Sequence, residues 1–483
     1  MRYIKKYIIF SITSLHVLFF VTGCKKFGDT NVNPYATTTP VTRNLLTGAL
    51  RSLPTVTNSE LGALYAQHIA EVQYTDASRF MNVNVSYAGF YTGPLLSLQK
   101  IIEFNTDPAT APTVLDGGSN ANQIAVARIL KAFFFFHLTN RWGDIPYSEA
   151  LQQGANLAPK FDKQQDVYND LFKELKEAVN QFDNGSTVQG DIFLSGNINR
   201  WKSFANSLRL IMALRLSKAD PAKGKSEFID AKNAGVITAN NATFLYHHLN
   251  ETANQSAWYA RYLTRFDYAI SKPFLDYLKS IDDPRIPVFA NKPEDGNAEY
   301  VGMPYGLDIT SGIPNNSVSY IGSILRKQNS PECILSAAHV LFTLAEGEKR
   351  GWNASNSPND AAAEQYYLDG IKASMEQYGI VPNQYGAYLL QSEVEYSSEE
   401  AIEKIAYQRW IALYLNGYEA WMEWRRTGLP NLHPGPAPTT PDGEIPRRQG
   451  YTLLERDLNL ANYNQVLQSQ GPDELNTKVW IDK

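Results

Sequence analysis

One side chain near the amino end can carry a covalent modification. Arg2, Lys5 and Lys6 precede a run from Tyr7 to Phe20 that is apolar except for Ser11, Thr13, Ser14 and His16. Val21-Thr22-Gly23-Cys24 follows. This order of charge, apolar run, small residue and cysteine fits a bacterial lipobox, in which a peptidase cuts before the Cys and the thiol takes diacylglycerol. The run falls short of the roughly 20 apolar residues that a spanning helix needs, so it reads as an export leader. Residues 1–23 are then the leader and Cys24 the lipid attachment point. Buried acyl chains, at about 0.8 kcal/mol per CH₂, hold such a domain at a membrane without a spanning segment.

No catalytic constellation stands out. There is no GxSxG, HExxH or P-loop, and no GxGxxG after a strand. Acidic residues are plentiful, but none stands out as a glycosidase pair. His247 and Glu251 would lie one turn apart on a helix, next to His248, yet a third metal ligand is missing. No EF-hand loop occurs, so a structural Ca²⁺ would have to use scattered loop oxygens, and no cofactor is expected. Cys24 and Cys333 are the only cysteines. With Cys24 acylated, no disulfide can form within the chain. Cys333, beside an apolar helical run, reads as a small buried hydrophobe and not a nucleophile.

Charge and composition narrow the partners. The net charge is −5. Removing the three positive residues of the leader takes it to −8. No basic stripe is present, which argues against nucleic acid and against broad binding to anionic lipid. Aromatic residues make up 12% of the chain, with 28 Tyr and 8 Trp. Tyr and Trp join an apolar face to a polar edge and suit surfaces on which flat ligands stack.

The elements that must position such groups are mostly helices. Residues 24–42 carry Asn, Pro and Thr and read as an extended tether. A single domain over 43–483 follows, long enough for a large core. Helical spacing begins at Leu45 and resumes from Glu60 through Leu61, Leu64, Tyr65, His68, Ile69 and Val72. Residues 74–93 break it with Tyr74, Phe80, Tyr87, Phe90 and Tyr91 among Asn, Ser, Gly and Thr, and read as a long, aromatic-rich functional loop. Ile124–Leu138 is helical, and its four consecutive Phe, 133–136, predict burial on every side. Val167–Phe182 and Trp201–Ser217 are further helices.

The stretch 245–330 is irregular, with helical pieces near Tyr259–Tyr268 and Pro273–Ser280. Helices return at Ala337–Glu346, Ala361–Tyr378 and Ser398–Leu415. Tyr418–Thr427 is closed by Gly428 with Pro430 beyond, which makes an αα-hairpin with the preceding helix. Residues 430–446 hold six Pro and are loop. The class is mainly α, built from tetratricopeptide-like helix pairs with a loop-rich face, although no regular 34-residue period occurs.

Six stretches bear a resemblance. They are Asp29-Thr30-Asn31-Val32-Asn33-Pro34, Arg141–Ala150 (RWGDIPYSEA), Arg200–Leu208 (RWKSFANSL), Tyr407–Leu413 (YQRWIAL), Gly417–Gly428 (GYEAWMEWRRTG) and Ile445-Pro446-Arg447-Arg448. With the lipobox, they make the chain similar to the SusD/RagB family of Bacteroidetes outer-membrane lipoproteins, in its SusD-like type 2 branch. The resemblance implies a non-enzymatic lipoprotein of the outer membrane, facing the cell exterior. It implies a lid on a SusC-type TonB-dependent transporter, capturing oligosaccharide or, in some members, peptide. A surface hydrolase is the remaining alternative.

Within that frame the Gly417–Gly428 motif reads as packing, with Tyr418, Trp421 and Met422 inward and its Glu and Arg residues cross-linking helices. Arg141–Asp144 reads as a structural turn. Sugar capture needs aromatic faces and hydrogen-bonding edges in loops. The candidates are Tyr74, Arg79, Tyr87 and Tyr91 in the 74–93 loop, and Trp258, Tyr300, Tyr305 and Tyr320 in the irregular middle.

Overall fold

The computed structural model describes residues 41–81 and 85–483. Cys24 and most of the tether lie outside the described residues, as do positions 82–84 of the aromatic loop. α-Helices of five residues or more are numbered in chain order. They are α1 (Thr42–Leu50), α2 (Glu60–Tyr65), α3 (Leu96–Thr106), α4 (Asn120–Trp142), α5 (Gln164–Gln181), α6 (Ile198–Arg215), α7 (Pro221–Asn233), α8 (Ala257–Arg261), α9 (Lys272–Ser280), α10 (Ala337–Lys349), α11 (Asp360–Gln377), α12 (Ala401–Ala412), α13 (Gly417–Thr427), α14 (Leu453–Leu458) and α15 (Leu460–Gln470). Successive helices pack as pairs: α4 with α5, α6 with α7, α10 with α11, and α12 with α13.

Local chemistry sets the ends of these helices. Ser119, Asn197, Ser336 and Asn359 accept a backbone N–H at the starts of α4, α6, α10 and α11, which satisfies donors the helix leaves open. Phe133–Phe136 are buried on all sides of α4, as their spacing predicts. Gly143 closes α4 with φ +83°, and a Cβ there would strike the Gln470 side chain, so only glycine fits the turn. Arg141 lies 4.3 Å from the Trp142 ring and 4.0 Å from the Tyr418 ring, and donates to Gln449 and Tyr418. The turn is structural, as its sequence suggests.

Among the described residues the strands are short and form three two-stranded antiparallel sheets. β1 (Ile69–Glu71) pairs with β5 (Tyr268–Ile270), β2 (Ile145–Pro146) with β3 (Phe161–Asp162), and β4 (Phe244–Tyr246) with β6 (Glu332–Leu335). Two helical expectations fail here. The stripe from Glu60 to Val72 is helical only to Tyr65. Gln67 takes a left-handed conformation with φ +55°, and Ile69 finds its burial across a sheet instead. Likewise Tyr259–Tyr268 is helical only to Arg261, where α8 ends; beyond the buried Tyr262, residues 263–266 are exposed on the way into β5. In both places apolar residues at helical spacing were satisfied by a strand partner distant in sequence.

The Gly417–Gly428 motif is buried from Gly417 to Arg426. Tyr418, Trp421 and Met422 face the core. Arg426 forms bidentate bonds to Glu346, both at 2.6 Å, and a further bond to Glu423 at 2.6 Å. Arg409 joins Glu346 at 2.7 Å and Glu423 at 2.5 Å, and Arg215 joins Glu419 at 2.5 Å. These charges tie α6, α10, α12 and α13 together. Burial alone would raise the Glu346 carboxyl, but the Arg426 and Arg409 guanidiniums outweigh it and hold it well below the usual carboxylate range.

Candidate functional site

A cleft on the loop-rich face gathers residues from three distant segments. The β1–β5 pairing sets Glu71 opposite Tyr268, and the Val72 N–H donates to the Asp267 carbonyl at 2.8 Å. Antiparallel pairing therefore sends Gln73 and Tyr74 out of β1 beside Arg265 and Phe266, which enter β5. An isolated bridge between Ala269 and Tyr320 brings the third segment alongside. The resulting cleft, of about 310 Å³, is lined by Gln73, Thr264, Arg265, Phe266, Asp267, Glu294, Asn315, Asn316 and Tyr320.

Aromatic and polar side chains share its lining. The Phe266 ring lies 5.2 Å from Tyr320 and 5.4 Å from Tyr262, edge to face. Arg326 braces this group from behind, 4.3 Å from the Tyr262 ring. Phe266 is 41% exposed and Tyr74 70% exposed. Arg265 stands 5.4 Å from the Tyr74 ring and pairs with Asp267 at 2.8 Å. The Tyr320 hydroxyl donates to the Asn315 carbonyl at 2.9 Å. Burial, together with the nearby Glu294 and Asp267 carboxylates, pushes its phenol above the ordinary value, so it stays a neutral donor. Two exposed rings beside amide, guanidinium and carboxylate edges can stack an apolar sugar face and take its hydroxyls.

The other candidates from sequence are dispersed. Arg79 donates to the Ala437 carbonyl at 3.1 Å. Its turn is pinned by Glu71, which accepts from the Ser78 N–H and hydroxyl at 2.8 and 2.9 Å. Burial raises that carboxyl to about 7 despite those bonds. Tyr87 donates to Glu455 at 2.8 Å and Tyr91 to the Pro146 carbonyl at 2.6 Å. The two rings share an apolar hollow of about 300 Å³ with Leu96, Leu157 and Leu454. Tyr305 is buried, donates to the Leu64 carbonyl at 2.7 Å, and edges a hollow of about 510 Å³ beside Tyr277 and Tyr407. Trp258 is buried under the Arg261 guanidinium. Tyr300 is half-buried, with Lys292 5.7 Å from its ring.

Of the eight candidates, Tyr320 lines the cleft and Tyr74 stands beside it, its ring 5.4 Å from Arg265. Phe266, Arg265, Asn315 and Asn316 escaped the sequence reading. The Arg265-Phe266-Asp267 run was the available signal, masked by the helical reading of Tyr259–Tyr268.

No metal centre is formed among the described residues by any group of three or more His, Cys, Asp or Glu. His248 is buried against the Asn254 carbonyl, while His247 is exposed. Cys333 is half-buried, and burial pushes its thiol up to about 12, so it is not an activated nucleophile. No helix among the described residues is long and apolar enough to cross a membrane.

The family model described as starch-binding associating with outer membrane, SusD-like type 2, matches residues 30–452, and the chain belongs to this family. Among curated proteins, none matches the chain. Solved structures with the same fold include a chitin-binding protein, 29% identical with a TM-score of 0.77, over 92% of this chain and 100% of the other. A SusD homologue from Bacteroides fragilis NCTC 9343 is 26% identical with a TM-score of 0.78, over 92% and 100%. A SusD homologue from Bacteroides thetaiotaomicron VPI-5482 is 26% identical with a TM-score of 0.74, over 92% and 99%.

Proposed function

We propose that this chain is a nutrient-binding lipoprotein of the outer membrane. Anchored through Cys24 and facing the cell exterior, it captures oligosaccharide and hands it to a SusC-type TonB-dependent transporter. Family membership across residues 30–452 is the observation that carries this reading. The 29% identity to a chitin-binding protein makes chito-oligosaccharides the first ligands to try. The cleft at Phe266 supports it chemically. Phe266 and the neighbouring Tyr74 offer exposed stacking faces, and Arg265, Asn315 and Asn316 offer edges that can meet hydroxyl groups. Capture then depends on complementary surface and requires no proton transfer or nucleophile.

The test is calorimetric titration of the purified lipoprotein with chito-oligosaccharides, malto-oligosaccharides and a peptide pool, with copurification from native membranes. Saturable glycan binding, no release of reducing sugar and a coeluting large β-barrel are expected. Enrichment of peptides alone would move the cargo to the peptide reading. Steady release of reducing sugar would make the protein a hydrolase.

A further inference from the structure

Another, smaller cavity shares no lining residue with the cleft. It has a volume of about 150 Å³. It is enclosed by the start of α8, the start of β6, the end of α11 and the turn that joins α12 to α13. Ile324 and Pro331, both exposed, mark its mouth. A cavity of about this size holds one small ligand group.

Two polar atoms on its lining residues are buried without a partner. They are the indole Nε1–H of Trp258, a residue only 2% exposed, and the Oδ1 of Asn416. One is a donor only and the other an acceptor only. Buried groups of this kind are ordinarily paired, and each unpaired one calls for an explanation. No Lys, Arg or His lines the cavity, and Glu332 does, so an anion would lose its hydration and gain no counter-charge. Leu245 and Leu325 supply apolar wall.

We propose that this cavity binds one neutral carboxamide group. The ligand carbonyl accepts from Trp258 Nε1–H, the ligand N–H donates to Asn416 Oδ1, and its methyl or methylene packs on Leu245 and Leu325. An acetamido group of a sugar and an amide of a peptide share this chemistry. The donor and acceptor alone carry the proposal, which does not rest on the glycan reading of the cleft.

Cys333 lines the same cavity, which provides a reporter. With Cys24 acylated it is the only free thiol. The experiment follows the rate at which methyl methanethiosulfonate labels Cys333 in the lipidated full chain, titrated with N-acetylglucosamine, acetamide, N-acetylglycinamide, glucosamine or glucose. Saturable protection of at least fivefold by one or more of the amides is expected, with none by glucosamine or glucose. Trp258→Phe removes the unpaired N–H together with the pyrrole part of a buried indole, so it should weaken protection at least tenfold and also lower the melting temperature. Asn416→Leu, which removes the unpaired acceptor at similar side-chain size, should weaken protection at least tenfold in a chain that still unfolds cooperatively. Protection by the simple amides as well as the sugar points to a peptide source. Protection by N-acetylglucosamine alone points to a sugar source. Equal protection by glucose, no protection by any probe, or full protection in Trp258→Phe would overturn the proposal and leave a cavity that holds water. Loss of glycan binding at the cleft through Phe266→Ala should leave Cys333 protection intact, so the two sites can fail separately.

Discussion

Arg426 and Arg265 are the same residue type in opposite settings. The Arg426 side chain is 2% exposed and shares two carboxylates with Arg409 inside four packed helices. Arg265 is 61% exposed, with one carboxylate beside it and a tyrosine ring in front. The first guanidinium has its donors committed to groups within the chain. The second keeps donors facing solvent. Motif density is therefore a poor guide to binding here: the crowded Gly417–Gly428 motif holds helices together, while the sparse Arg265-Phe266 pair faces outward. An ion pair buried on all sides loses heavily when one partner is removed, because the other charge stays in a low-dielectric interior. An exposed pair loses little.

The contrast is broken most severely at the network. Glu346→Gln leaves Arg426 and Arg409 with fewer counter-charges, and should cost about 3–5 kcal/mol of stability in denaturant unfolding. Arg265→Ala should cost at most about 1 kcal/mol. Equal losses would mean that the buried network is no more structural than a surface pair. Since the Glu346 carboxyl is held below its ordinary value, its contribution is present above the unfolded pKa of about 4.5 and lost as pH falls below it.

Glu332 on β6 behaves with the opposite sign. Burial raises it to about 8, against Thr57 and Arg261, which lower it. The folded protein thus keeps a proton that the unfolded chain releases near 4.5. Stability from this group is complete below that value and drains away as pH rises towards 8. Glu332→Gln should match the wild type at pH 4.5 and exceed it by about 1–3 kcal/mol at pH 8. Identical pH profiles would show that the carboxyl ionises freely in the fold.

How much of this was legible in sequence follows the range of the contacts. The four-Phe segment of α4 and the hairpin closed by Gly428 were readable because 3.6-residue spacing and capping chemistry are local. The inward packing of Tyr418 and Trp421 was readable for the same reason. The cleft was not. Tyr74 and Tyr320 were named among eight candidates, seven of them aromatic, but only the pairing of β1 with β5 and the bridge at Tyr320 bring them near one another, and three-residue strands leave no periodic trace. Phe266 falls inside the helical piece expected near Tyr259–Tyr268, although α8 stops at Arg261. Tyr87 and Tyr305 looked like free loop aromatics because their partners, Glu455 and the Leu64 carbonyl, lie far away in sequence.

At the cleft, a combined Tyr74→Ala and Phe266→Ala change removes both exposed faces. Affinity for the bound oligosaccharide should fall at least about tenfold, near 1.4 kcal/mol, with the unfolding midpoint unchanged. A stability loss instead would assign Phe266 to the core with Tyr262.

The smallest change sharpens the same division from the other side. Tyr305→Phe keeps the ring against Phe80 and deletes only the hydroxyl that donates to the Leu64 carbonyl. That carbonyl retains the Gln67 N–H at 2.8 Å, so no acceptor is stranded and the loss should be about 1 kcal/mol. Oligosaccharide affinity should not change, because Tyr305 is absent from the cleft lining. An affinity drop at constant stability would instead make the hollow beside Tyr277 and Tyr407 the surface that meets the ligand, and the exposed rings at Tyr74 and Phe266 would need another partner.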